Sequence, residues 1–159
     1  MSSDLRLNWR WEHDRLYLDF PLHAVPKPKA TGKGWHANRG DVERYKSFRD
    51  LMRIMLAKIE GSVLPLDPPL LVTIIVRDWN PDADPDNVEG GILDALKPWP
   101  LPNDRWREIC SLHVLRSRTP EPGAGFTVVV RDVAHDNEHG PGLTETSDEA
   151  TFRAHSSGF

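Results

Sequence analysis

The sequence has a single cysteine, Cys110, in 159 residues. No intrachain disulfide can form, which excludes a disulfide-stapled secreted scaffold and suits a reducing cytoplasm. Long apolar runs are missing too. Nothing approaches the ~20 consecutive apolar residues of a membrane-spanning helix. Asp4, Arg6 and Arg10 interrupt the first segment where a signal peptide needs an apolar stretch. Internal repeats are absent. A net positive charge is also lacking, since 20 lysines and arginines face 24 acids, a balance of −4. The expectation is one cytoplasmic domain with no membrane partner, long enough to bury a core without a structural metal.

The charge that is present is unevenly spread. Residues 134–159 hold Asp136, Glu138, Glu145, Asp148 and Glu149 against Arg153 alone. Residues 24–58 hold nine bases (Lys27, Lys29, Lys33, Arg39, Arg44, Lys46, Arg49, Arg53, Lys58) against three acids (Asp41, Glu43, Asp50). A basic segment beside an acidic site is a sensible layout for metal-dependent work on a polyanion. A solvated helix face next to a basic loop would give the same tally.

Patterning predicts an α/β (α+β) domain over residues 1–133 and a polar, glycine-rich flexible tail over 134–159. Leu5 to Trp11 and Arg15 to Leu22 alternate as a hairpin does. Asp41 reads as the N-cap of a helix carrying Val42, Tyr45, Phe48, Met52, Met55 and Ile59 at helical spacing, stopped by Gly61. Leu70 to Val76 reads as a buried strand. Val88 to Lys97 reads as a short helix, and Trp106 to Arg116 and Phe126 to Val133 as two more strands. Cys110, in an apolar strand, is expected to be buried. Most of the six tryptophans are expected in the core or at a dimer contact, with Trp35 or Trp79 as a base-stacking platform in the minority reading.

The informative segment is Asp82-Ala83-Asp84-Pro85-Asp86-Asn87. Carboxylates two apart point the same way on an extended backbone, and Pro85 biases Asp84 toward that conformation. Clustered carboxylates repel, and a hard divalent cation removes the cost. A calcium loop is one competitor. Asp82, Asp84 and Asp86 match its first alternating ligands, but Asn87 stands where glycine is wanted and Leu93 where the closing glutamate belongs. A plain acidic turn with Asp86 or Asn87 capping the next helix is another.

Asp84-Pro85-Asp86-Asn87, then Asp94-Ala95-Leu96, then Asn103-Asp104 resembles the D-x-D-N, D-A-L and D-D pattern of the RusA family of Holliday-junction resolvases. Pro26-Lys27-Pro28-Lys29 resembles that family's proline-and-basic stretch. The resemblance spans about residues 15–133. It implies a RusA-like, homodimeric, Mg²⁺-dependent endonuclease (Mn²⁺ as substitute), bacterial or phage-encoded, that nicks four-way DNA junctions. It also implies Asp84, Asp86 and Asp104 as catalytic metal ligands, with Asp94 and Asn87 in support; Asp82 has no counterpart in that pattern and is read as an extra ligand. The DNA-binding set would be Lys27, Lys29, Lys33, Arg39, Arg44 and Lys46. One departure stands out: the family has a lysine where this chain has Gly90. That leaves two rivals, a branched-DNA-binding dimer without chemistry and a metal- or calcium-binding module without nuclease activity.

Overall fold

The computed structural model describes residues 6–28, 39–63, 66–102, 105 and 108–133. Strands β1 (Asn8–Glu12) and β2 (Arg15–Phe20) form the expected hairpin. His13 turns the corner at φ 57°, a left-handed conformation that histidine tolerates better than most residues. Asp14 beside it is held by the side chains of Arg131 and Arg15. Helix α1 (Arg39–Ala57) leads through a 3₁₀ turn (Glu60–Ser62) toward β3 (Leu70–Val76). Helix α2 (Pro85–Ala95), β4 (Ile109–Arg116) and β5 (Phe126–Asp132) follow.

The fold is α+β: among the described residues, one five-stranded mixed sheet in the order β1-β2-β5-β3-β4, with two α-helices. Only β3 and β4 pair in parallel, across α2; the other neighbours are antiparallel. Alternation decides which face the helices cover. Leu70, Val72, Ile74 and Val76 of β3 point one way, with Leu16, Leu18 and Phe20 of β2 and Phe126, Val128 and Val130 of β5. Tyr45, Phe48, Met52 and Met55 of α1 and Val88, Ile92 and Ala95 of α2 join them in one buried cluster. The Phe20 and Phe126 rings stack at 5.0 Å, and Phe48 closes on Phe126 at 6.1 Å.

Among the described residues no helix covers the opposite face, which mixes polar side chains with Tyr17, Leu71, Ile75 and Val129. Arg10 lies over the Tyr17 ring and bonds Asp19, while Thr127 donates to Asp19 and accepts from Arg77. Every buried polar atom in that chain of bonds has a partner, so a half-open face costs little.

Several expectations need correction. Helix α1 starts by Arg39, so Asp41 is an acid in its first turn instead of its cap. Gly61 lies inside the 3₁₀ turn, and α1 has already ended at Ala57. Helix α2 starts three residues before Val88, because Pro85 occupies the first helical position, where a missing N–H costs nothing. Cys110 is exposed: it sits on the edge strand β4, where the register with β3 shifts at Leu70/Leu71. Trp79 is partly buried, donates to Ser117 Oγ and carries the Arg116 guanidinium 4.6 Å above its ring. Its ring is therefore already covered on one side. Trp11 and Trp99 pack against the core as expected, and Trp9 is exposed. Trp35, Trp106 and the tail over 134–159 lie outside the described residues.

Candidate metal and phosphate site

The acidic run is the start of α2. Asp84 has extended backbone (φ −68°, ψ 123°), as Pro85 dictates, and its Oδ1 accepts the Asp86 N–H at 3.2 Å. Asp84 is thus the N-cap, a role the sequence reading gave to Asp86 or Asn87. Asp86 is one residue inside the helix and exposed. The two aspartates therefore do not stand on one extended strand; a helical turn sets their relation. Asp82 precedes them in a turn where its N–H donates to Asn80 Oδ1 at 3.0 Å. The dipole of the helix start favours negative charge here, and the N–H groups of Asp86, Asn87 and Val88 are all accepted by Asp84.

A cleft of about 290 Å³ opens beside this turn. Asp82, Asp84 and Asn87 line one side, Val25 to Pro28 another, and Asp41 and Arg44 of α1 the third. Of the expected site residues, Asp82, Asp84, Asn87, Lys27 and Arg44 are brought together. Asp86 borders the cleft through Asp84 and does not line it. Arg39 is 93% exposed and paired with Glu43 at 3.0 Å, and Lys46 is exposed on α1. Asp104, Lys29 and Lys33 lie outside the described residues.

Oxygen donors alone (two carboxylates and an amide) line the acidic side of the cleft, and this donor set suits a hard cation such as Mg²⁺. Among the described residues no group of three or more acidic, histidine or cysteine side chains is disposed to hold a metal.

Asp94 is tied down at the far end of the same helix. Lys27 Nζ lies 2.6 Å from Oδ2, Lys97 Nζ 2.9 Å from Oδ1, and the Tyr45 hydroxyl donates to Oδ2 at 2.7 Å. Burial pushes the Asp94 carboxyl up, but bonds from Lys27, Lys97 and Tyr45 outweigh it and hold it well below the usual carboxylate range. Burial, then the bond to Asp94, pushes the Tyr45 phenol up to about 12. Its folded value lies above its unfolded one, so its stabilisation is complete below about pH 10 and is lost as pH rises toward 12. Tyr45→Phe should destabilise the protein by about 1.5–3 kcal/mol, the range for a bond to a charged group. It should also remove the absorbance change of a phenol ionising near pH 12. Urea unfolding at pH 7 and a spectrophotometric titration measure the two.

Of the partners of Asp94, Lys97 stands at a legible spacing of three, whereas Lys27 and Tyr45 come from two distant segments that no local pattern links to it. Glu89 was missed as well. It sits one helical turn after Asp86, and burial, then the charge of Asp86, raises its pKa. The spacing of three was the available signal. The position where the RusA family has lysine, Gly90, meets the Lys27 side chain: a Cβ there would lie 3.8 Å from Lys27 Cδ. Lys97 reaches Asp94 and not this position, in line with its distance along the helix.

No protein-family model matches the chain, and no match is found among curated proteins. Among the described residues no helix is long and apolar enough to cross a membrane.

Proposed function

We propose that this chain is a metal-dependent endonuclease of RusA type that nicks branched DNA, four-way junctions above all, as a cytoplasmic homodimer of bacterial or phage origin. The observation that supports it most is the cleft itself. The oxygen donors of the Asp82–Asn87 run, Arg44 and the Lys27 side chain line it from three chain segments. A cleft that sets carboxylates beside basic side chains suits hydrolysis of a phosphodiester.

In this reading Asp82, Asp84 and Asp86, completed by Asp104, hold Mg²⁺ or Mn²⁺. The cation, when bound, neutralises the carboxylates and stabilises charge developing on the phosphate. Asp84 is fixed for this by its bond to the Asp86 N–H, so the ligand needs no reorganisation. Arg44 offers a forked donor to a phosphate, and Arg39 and Lys46 on the same helix extend the contact along a DNA arm. A four-way junction has approximate two-fold symmetry, so paired nicks need two equivalent sites.

A second reading, a branched-DNA-binding dimer with weak or no chemistry, is favoured by one observation. The Lys27 ammonium is engaged by Asp94 and not directed at the carboxylates of the cleft. A magnesium titration with a labelled four-way junction separates the two. Cutting that rises with Mg²⁺ is the expected result; binding without cutting supports the second reading, and neither binding nor cutting sinks both. Light scattering at micromolar concentration should show a dimer, and a monomer would count against paired nicking.

A further inference from the structure

Asp94 holds more cation than it needs. One carboxylate carries one negative charge, yet two ammonium groups lie within 3 Å of it, with a phenol besides. The two lysines are not equivalent. Lys97 follows directly from α2, pairs with Asp94 at a spacing of three and is 28% exposed. Lys27 comes from another segment, is 52% exposed and lines the cleft with Asp82 and Asp84.

The backbone of Lys27 is fixed while its side chain is not enclosed. Its N–H donates to Asn87 O at 2.7 Å, which ties the segment to α2. Gly91 lets that segment approach, since a Cβ there would stand 2.5 Å from Val25 O and 3.2 Å from Lys27 N. Gly90 offers the Lys27 stem no side chain to pack against. Asp94 is only 17% exposed, but the Lys27 side chain is half-exposed, so its ammonium can swing into solvent without opening the core.

We infer that Lys27 is a phosphate-binding lysine that changes partner: parked on Asp94 in the free protein, its ammonium moves to a phosphate oxygen when a phosphodiester enters the cleft. Lys97 and Tyr45 stay behind and keep Asp94 paired, so no carboxylate is left buried without a cation. This rests on reading the cleft as a site for a phosphate-bearing substrate.

The test follows the side-chain Cε–Hε signals of the lysines by NMR, assigned with Lys27→Gln and Lys97→Gln. Inorganic phosphate is added first, then a four-way junction in Ca²⁺. The Lys27 signal is expected to move with both probes and the Lys97 signal to stay. Lys27→Gln should melt within a few degrees of wild type, since Lys97 and Tyr45 still hold Asp94. It should lower the slope of log affinity against log salt by about one. A Lys27 signal that answers neither probe overturns the inference. So does a Lys27→Gln protein that melts as low as Lys97→Gln with an unchanged salt slope, because Lys27 would then be a structural clamp. A Lys27 that answers phosphate in a protein that neither binds nor cuts junctions keeps the inference and removes the nuclease reading. Efficient cutting with Lys27 unmoved does the reverse.

Discussion

Asp86→Asn is expected to abolish junction cutting while leaving the protein folded and able to bind the junction. Asp86 is exposed in the first turn of α2, and its contribution to Asp84 is a backbone N–H, which asparagine keeps. The change removes one negative charge near the helix start, a loss of about 0.3–1 kcal/mol at most. Melting should therefore fall by only a few degrees. The chemistry has no such cushion. A ligand turned from carboxylate to amide holds a hard cation poorly, and the rate should drop by at least on the order of 10². Binding should survive or tighten, since a charge that repels phosphate has gone. Asp84→Asn is the companion variant: it keeps the N-cap bond and loses the charge, so it too should stay folded and stop cutting. Single-turnover cutting at saturating Mg²⁺, read beside a melting curve, decides. An Asp86→Asn protein that cuts at the wild-type rate would place the reaction elsewhere.

The second large effect falls on two adjacent glycines and has opposite signs. Gly91→Ala should destabilise the protein by about 1–3 kcal/mol or more. Its Cβ would stand 2.5 Å from the carbonyl oxygen of Val25 and 3.2 Å from the Lys27 nitrogen. Both are backbone atoms, so relief requires the whole 25–27 segment to move off α2. That movement strains the bond from Lys27 N–H to Asn87 O and withdraws one wall of the cleft, so activity should fall with stability. Gly90→Ala meets only the Lys27 stem at 3.8 Å, an ordinary contact. It should stabilise α2 by about 0.5–1 kcal/mol through helix propensity. Chemical denaturation of the pair measures the contrast. Equal melting of the two variants would mean that the approach of residues 25–27 to α2 is looser than described.

The regular elements were largely legible because their signals are local. Leu70 to Val76 is apolar at almost every position and became β3 with the same bounds. The hairpin and the amphipathic stripe of α1 followed from periods of two and of 3.6. Proline misled where it has two meanings. Pro85 rightly marked Asp84 as extended, yet it also opened α2 and turned Asp84 into a cap. The Asp82–Asn87 run stands out in the sequence, since acids spaced by two in a turn need an explanation. Its surroundings were not visible. Lys27 reaches Asp94 across 67 positions and Tyr45 reaches it across 49. Asp41, which the sequence reading used only as a helix signal, lines the cleft. Cys110 illustrates the limit of a strand assignment without a sheet order, since an apolar strand at an edge exposes what a central strand buries.

The position of β5 in the sheet has a consequence for synthesis. It lies between β2 and β3, and it alone joins the N-terminal hairpin to the β3–β4 pair. While the ribosome has yet to deliver Phe126–Asp132, the hairpin has no neighbour and β3 lacks one of its two partners. Every residue lining the cleft has by then been made, yet the sheet beneath α1 and α2 cannot close. Such a topology is dominated by contacts distant in sequence, which places it among slow folders. A prematurely terminated chain would therefore carry all the cleft residues and no cleft, which takes shape only once β5 has been made.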